Sequence, residues 1–295
     1  MLVMLKQILN LCEARQCAAG SFNTPNLESV MAVIQAAEEL DVPVILQHAQ
    51  VHEELMPLEV IAPIMLGFAR KAKVPVCVHL DHGETLDYVC RALELGFTSV
   101  MYDGSVLSYE ENVSNTRMAV SFARQTGASV EAEIGSMGKR ETGEGSAGAG
   151  EDSEKIYTDP GQAKLFVDAT GVDALACSFG TTHGLYLSEP KLDFSVVEKV
   201  RALADIPVVM HGGSGVSEKD FQKAIRAGVR KINYYTYMAM AGGESIRSNL
   251  QEGGKDSGEN PNFAKAPVMY HDIVSWGTLA MKENCKKAMQ IFAMR

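Results

Sequence analysis

The chain has 295 residues, 46% of them apolar and 22% charged, with a formal net charge of −10. That composition supports a large core and excludes a disordered chain, and the acidic balance argues against a nucleic-acid binder, which needs a basic face. It leaves room for a small anionic substrate, because backbone amides bind phosphate on an acidic protein as well.

Residues 1–11 are apolar but broken by Lys6, Gln7 and Asn10, which reads as an amphipathic helix rather than a signal peptide. Short apolar runs follow at 18–23, 43–47, 75–81, 99–102, 129–134, 174–179, 207–211 and 231–235. Each leads into a segment with helical spacing, such as Leu86, Val89, Cys90, Ala92 and Leu93, or Phe221, Ala224 and Ile225. Near-continuous apolar strands alternating with helices predict a parallel sheet covered on both faces. Eight such units match a (β/α)8 TIM barrel. The alternative is an open doubly wound sheet, which would carry a glycine fingerprint after its first strand; Gly20-Ser-Phe-Asn-Thr-Pro25 does not fit one. The expectation is one domain over 1–295, with the barrel at about 17–240 and a C-terminal helical extension at about 241–295. Within the extension, polar residues 242–264 read as a surface connection to a last helix near 270–292. The glycine-rich stretch 135–154 is long for a loop after the fifth strand and would lie at the mouth of a barrel. No run approaches the ~18 apolar residues of a membrane span. The six cysteines lack metal-like spacing and sit mostly in apolar runs. They read as buried free thiols of a reducing cytosol, so a cytoplasmic location is expected.

Barrel active sites lie at the C-terminal ends of the strands. His82 ends the third strand, His183 follows the sixth and His211 ends the seventh. Three imidazoles with an open position describe a catalytic Zn²⁺ site. His79 is a rival ligand. Strand alternation puts His79 and Asp81 on one face and His82 on the other, so only a turn at the strand end can bring Asp81 and His82 together. The run Gly212-Gly-Ser-Gly215 joins a strand to a helix that starts near Ser217, and the eighth strand then delivers Asn233 and Thr236. Glycine amides and the Ser214 hydroxyl suit a phosphate, and barrels often build a phosphate site after strands seven and eight.

A set of motifs occurs in order: His79-Leu-Asp-His82, Tyr102-Asp-Gly-Ser105 with Glu110-Glu-Asn112, Val130-Glu-Ala-Glu133, Tyr157-Thr-Asp-Pro160, Gly180-Thr-Thr-His-Gly184, His211-Gly-Gly-Ser-Gly215 and Lys231-Ile-Asn233. Together they resemble the class II, metal-dependent ketose-bisphosphate aldolases, over about residues 20–240. The resemblance implies Zn²⁺ held by His82, His183 and His211, with Glu133 as an alternate ligand. It implies Asp81 as the proton shuttle and Glu141 as the mobile-loop acid. A phosphorylated ketose would bind through Gly184, Gly212, Gly213, Ser214, Asn233 and Thr236. A monovalent cation (Na⁺ or K⁺) near Gly184, Gly212 and Ser214, and a homodimer or homotetramer, belong to the same expectation. Fructose 1,6-bisphosphate is the default substrate, with tagatose 1,6-bisphosphate or another phosphoketose as the alternative; a non-catalytic barrel that stabilises an active partner is the alternative of another kind. Two positions depart from the family. Ala49 stands where a hydroxyl residue is usual, and Tyr235 stands where many members carry an aspartate. Asn23, His48 and Tyr235 are therefore the candidates for the sugar side.

Overall fold

The computed structural model describes residues 1–135, 157–182, 184, 190–251 and 268–295. Eight strands, β1 (Ala19–Asn23), β2 (Val44–Ala49), β3 (Val76–Gly83), β4 (Ser99–Tyr102), β5 (Ser129–Ile134), β6 (Ala174–Cys177), β7 (Val208–Met210) and β8 (Val229–Tyr234), form a closed barrel in chain order. Every neighbouring pair is parallel, and β1 closes on β8 with Ser21 opposite Asn233. The helices that follow them are α2 (Leu27–Leu40), α3 (Leu58–Lys71), α4 (Leu86–Glu94), α5 (Tyr109–Thr126), α6 (Pro160–Thr170), α7 (Phe194–Ala204), α8 (Glu218–Ala227) and α9 (Thr236–Gln251). This is the expected (β/α)8 barrel. Short polar caps start the helices: the side chains of Asn26, Thr85, Ser108, Asp159 and Ser217 each accept a backbone N–H from the first turn. Pro160 supplies the fixed φ of a first helical position.

The opening helix α1 (Leu5–Arg15) closes the N-terminal end of the barrel. Its apolar face, Leu5, Ile8, Leu9 and Cys12, packs on Ala19, Ile45, Cys77, Ala174, Ala176 and Val209, all buried. Above that apolar floor the interior turns polar. Ser21, Gln47, His79, Glu131 and Lys231 are fully buried there, where barrels ordinarily pack branched apolar side chains.

One expectation is corrected at the C-terminal side. The polar stretch 242–264 predicts a surface connection, but over 242–251 α9 continues through Gly242 and Gly243 to Gln251, and 252–264 lie outside the described residues. The reason is packing. A Cβ on Gly242 would meet Met281 Cγ at 3.0 Å, and one on Gly277 would meet Ile246 Cδ1 at 3.2 Å. Here glycine marks a close crossing of α9 with α10 (Tyr270–Phe292), not a loop. The last helix also packs along α2, and its Phe292 ring meets Phe221 and Tyr234 edge-on, with centroids at 4.9 and 6.1 Å. Among the described residues, no helix is long and apolar enough to cross a membrane.

Candidate metal and phosphate site

A cleft of about 450 Å³ opens at the C-terminal ends of the strands. Asp81, His82 and Glu133 reach it from β3 and β5, with Asp103 from the loop after β4. Asp81 and His82 are adjacent in a strand yet share the cleft. His82 has φ 46°, and the pairing of β3 with β4 slips between Leu80 and Gly83. A left-handed residue at the strand end rotates the next side chain toward the mouth, which strand alternation alone forbids. His79, the rival ligand, stays one layer down, with Nδ1 2.8 Å from Ser99 Oγ and Nε2 3.6 Å from Glu131 Oε2.

His82 Nε2 lies 2.9 Å from His211 Nδ1. The opposite nitrogen of each ring faces a carboxylate: His82 Nδ1 is 2.7 Å from Asp103 Oδ2, and His211 Nε2 is 2.8 Å from Glu131 Oε1. Carboxylates only accept, so those outer nitrogens carry protons, and the two inner nitrogens present lone pairs to each other. Two converging lone pairs need a cation between them, either a proton or a metal. The protein environment favours positive charge there. Burial opposes the charged form of His82, yet Asp81, Asp103 and Glu133 outweigh it and raise its pKa to about 10. Glu133 Oε2 is buried without a hydrogen-bond partner among the described residues, and burial with the nearby Asp103 pushes its pKa up to about 8. Donor atoms of Asp81, His82 and His211, and of His82, Asp103 and Glu133, fall within 4.8 Å of one another as two overlapping groups able to hold a metal ion. The donor set of imidazoles and carboxylates fits Zn²⁺.

Asp81 is held by amides. Asn23 Nδ2 and Gln47 Nε2 donate to Oδ2 at 3.0 and 3.1 Å, and Asn233 Nδ2 donates to Oδ1 at 3.0 Å. Burial works against its charge, but His82, His211 and Lys231 prevail and hold its pKa well below the usual carboxylate range.

Gly184, Gly212, Gly213, Ser214, Asn233 and Thr236 all line the same cleft. Gly212 has φ 65°, and a Cβ there would fall 2.3 Å from the Thr182 carbonyl oxygen, so only glycine lets this loop pass. The Gly213 N–H already donates to the Asn233 carbonyl at 3.2 Å, which takes it out of any anion cradle. Thr236 opens α9, whose N-terminal end therefore faces the cleft.

Of the residues expected on the sugar side, Asn23 and Tyr235 line the cleft, as does Ala49, and His48 does not. This corrects the expectation for His48. Gln47 points into the barrel, so its neighbour faces outward; His48 is fully buried, with neither ring nitrogen hydrogen-bonded among the described residues, and burial lowers its pKa to about 4. His52, from the short turn 50–52, takes its place against Tyr235 with ring centroids 5.2 Å apart. Asp103 and His52 were missed, as were Gln47 and Glu131 behind them. His183 and Glu141 lie outside the described residues, as does most of the stretch 135–154.

A model of the family described as class-II fructose-bisphosphate aldolase matches residues 3–295. The uncharacterised protein YdjI of Escherichia coli K12 is 40% identical over 235 residues, 80% of this chain and 83% of that protein. The X-ray crystal structure of the YdjI aldolase from E. coli K12 superposes with a TM-score of 0.83 at 33% identity, covering 99% of this chain and 97% of that one. A putative fructose-1,6-bisphosphate aldolase from Coccidioides immitis superposes at 0.80 with 26% identity, covering 98% and 95%.

Proposed function

The chain belongs to the class II fructose-bisphosphate aldolase family, and from that premise we propose that it reversibly cleaves a phosphorylated ketose to dihydroxyacetone phosphate and an aldehyde in a Zn²⁺-dependent reaction. The observation that carries this reading is the convergence of His82 Nε2 and His211 Nδ1, each with its outer nitrogen committed to a carboxylate. His82, His183 and His211 would hold the metal, and Glu133, whose Oε2 is buried without a hydrogen-bond partner among the described residues, would be an alternate ligand. When bound, a divalent metal supplies Lewis-acid stabilisation of the negative charge that develops on the ketone half as the carbon–carbon bond breaks. Asp81 takes the proton from the hydroxyl that becomes the aldehyde carbonyl. Its three amide donors keep it a carboxylate and fix its aim. Glu141 returns a proton to the carbon left behind. Gly212, Ser214 and the start of α9 at Thr236 bind the phosphate, with Gly184 and a monovalent cation beside them, and Asn233 holds the ketone half. A homodimer or homotetramer working in the cytoplasm completes the reading.

Fructose 1,6-bisphosphate is the default substrate. Ala49 and Tyr235 line the cleft where the family usually places a hydroxyl and an aspartate, so discrimination in the aldehyde half is relaxed. A site reads a hydroxyl strongly only where it offers a hydrogen-bond partner. A coupled assay for dihydroxyacetone phosphate release, run over fructose, tagatose and other ketose phosphates, tests both points. The expected result is zinc-dependent release from several ketose phosphates. Silence across the panel would sink the aldolase reading, and a preference of ~10³-fold or more for fructose 1,6-bisphosphate would sink the relaxed specificity. The intact set of Asp81, His82 and His211 disfavours a non-catalytic partner subunit.

A further inference from the structure

Lys231 and Glu131 are fully buried beneath the cleft and line none of it. Lys231 Nζ lies 2.9 Å from Glu131 Oε2 and 2.8 Å from Asn233 Oδ1. Their partners are the parts of the site that need fixed orientation. An ammonium only donates, so the Asn233 atom facing it is the carbonyl oxygen. That assignment turns the Asn233 amide nitrogen toward Asp81 Oδ1, at 3.0 Å. A carboxylate only accepts, so the His211 nitrogen 2.8 Å from Glu131 Oε1 carries the proton, and Nδ1 is left facing His82.

Stability does not account for such a pair. Two charges in a barrel core contribute no more, and often less, than well-packed apolar residues of the same volume, and barrel interiors are ordinarily filled by branched apolar side chains. We infer that the buried Lys231–Glu131 pair is a positioning device for both halves of the site: Glu131 sets the His211 ring with Nδ1 toward the metal, and Lys231 sets the Asn233 amide with its N–H toward Asp81. The inference rests on the zinc-dependent aldolase reading above. Neither residue touches substrate. Each acts through the group it orients, and β8 places Lys231 and Asn233 on the same face, two residues apart.

The test is the double variant Lys231→Met with Glu131→Leu in the full chain, which removes both charges, strands neither and takes away the oxygen that accepts from His211. Circular dichroism reports folding, and competition with a chelator reports Zn²⁺ affinity without any substrate. The expected result is a folded protein that binds Zn²⁺ about 10–100-fold more weakly. Its kcat for dihydroxyacetone phosphate release should fall, while KM moves by less than about threefold. A folded double variant with Zn²⁺ affinity and kcat within about twofold of the parent overturns the inference. A second readout uses the unmutated protein and stands even where the variant fails to fold. Nitrogen-15 NMR of histidine-labelled, zinc-loaded chain should show His211 protonated at Nε2, and protonation at Nδ1 overturns the role of Glu131. An unmutated chain that neither binds Zn²⁺ nor cleaves a ketose phosphate overturns the aldolase reading together with this one. A zinc-binding, active chain indifferent to the double substitution overturns the positioning role alone.

Discussion

Three amide donors, from Asn23, Gln47 and Asn233, hold the two oxygens of Asp81 from strands β1, β2 and β8 and leave a lone pair on Oδ1 open. A carboxylate so held is aimed rather than merely present, and its removal should act on the chemical step. Asp81→Ala is expected to lower kcat by ~10²–10⁴-fold and leave KM nearly unchanged in steady-state assays. A rise in KM alone would make Asp81 a binding group instead. At this scale the sequence was legible where one residue type answers one need. Gly212 and Ser214, in a strand-to-helix loop, line the cleft, and His211, at a strand end, meets His82. It was not legible where a backbone angle decides. Nothing in His79-Leu-Asp-His82 reveals that His82 takes a left-handed φ, and that angle alone settles which histidine reaches the cleft. The same holds for His48 and His52, exchanged by the turn after β2. Glu131 was within reach: in Val130-Glu-Ala-Glu133 a period of two puts both carboxylates on one face.

The last helix, α10, joins the rim of the barrel to its core through Phe292. The ring is fully buried between Phe221 of α8 and Tyr234 of β8, and its carbonyl accepts the N–H of Ala18 at 2.9 Å. Phe292→Ala should therefore cost about 3–5 kcal/mol, read as a lowered denaturation midpoint in urea. A loss under about 1 kcal/mol would show that the extension is an ornament on a self-sufficient barrel. The extent of α10 matched the periodicity of its apolar residues. α9 did not, because Gly242 and Gly243 signal a loop by composition while both lie within a helix and Gly242 serves a helix crossing in space. Composition reports backbone freedom and is blind to a neighbour that requires the missing side chain.

For the molecule as a whole, eight alternating units were readable from spacing, since a parallel barrel repeats the same pattern of strand and helix. The polar filling of its interior was not. Strands covered on both faces are near-continuously apolar, so isolated residues such as Gln47 and Lys231 look like strand ends or exceptions until the barrel closes around them. The apolar core lies between the sheet and its helices and under α1, away from the candidate metal ligands. Chelation should accordingly abolish aldol cleavage while far-ultraviolet circular dichroism stays within error of the untreated protein, and added Zn²⁺ should restore turnover. Full turnover in metal-free protein would contradict the zinc mechanism, and loss of the dichroism signal would make the metal a structural one.

Helix α1 closes the floor of a barrel whose interior is filled by side chains. Among the described residues the way in is the cleft at the C-terminal ends of the strands, so in the proposed reaction substrate and both products would share one mouth, and traffic through it would have an order. In the proposed reaction the phosphate loop and Asn233 would hold dihydroxyacetone phosphate while the aldehyde has no such grip, so the aldehyde should depart first and dihydroxyacetone phosphate last. Product-inhibition patterns should record that queue: dihydroxyacetone phosphate competitive against the ketose phosphate, the aldehyde noncompetitive. Competitive inhibition by both would mean that the two fragments leave independently.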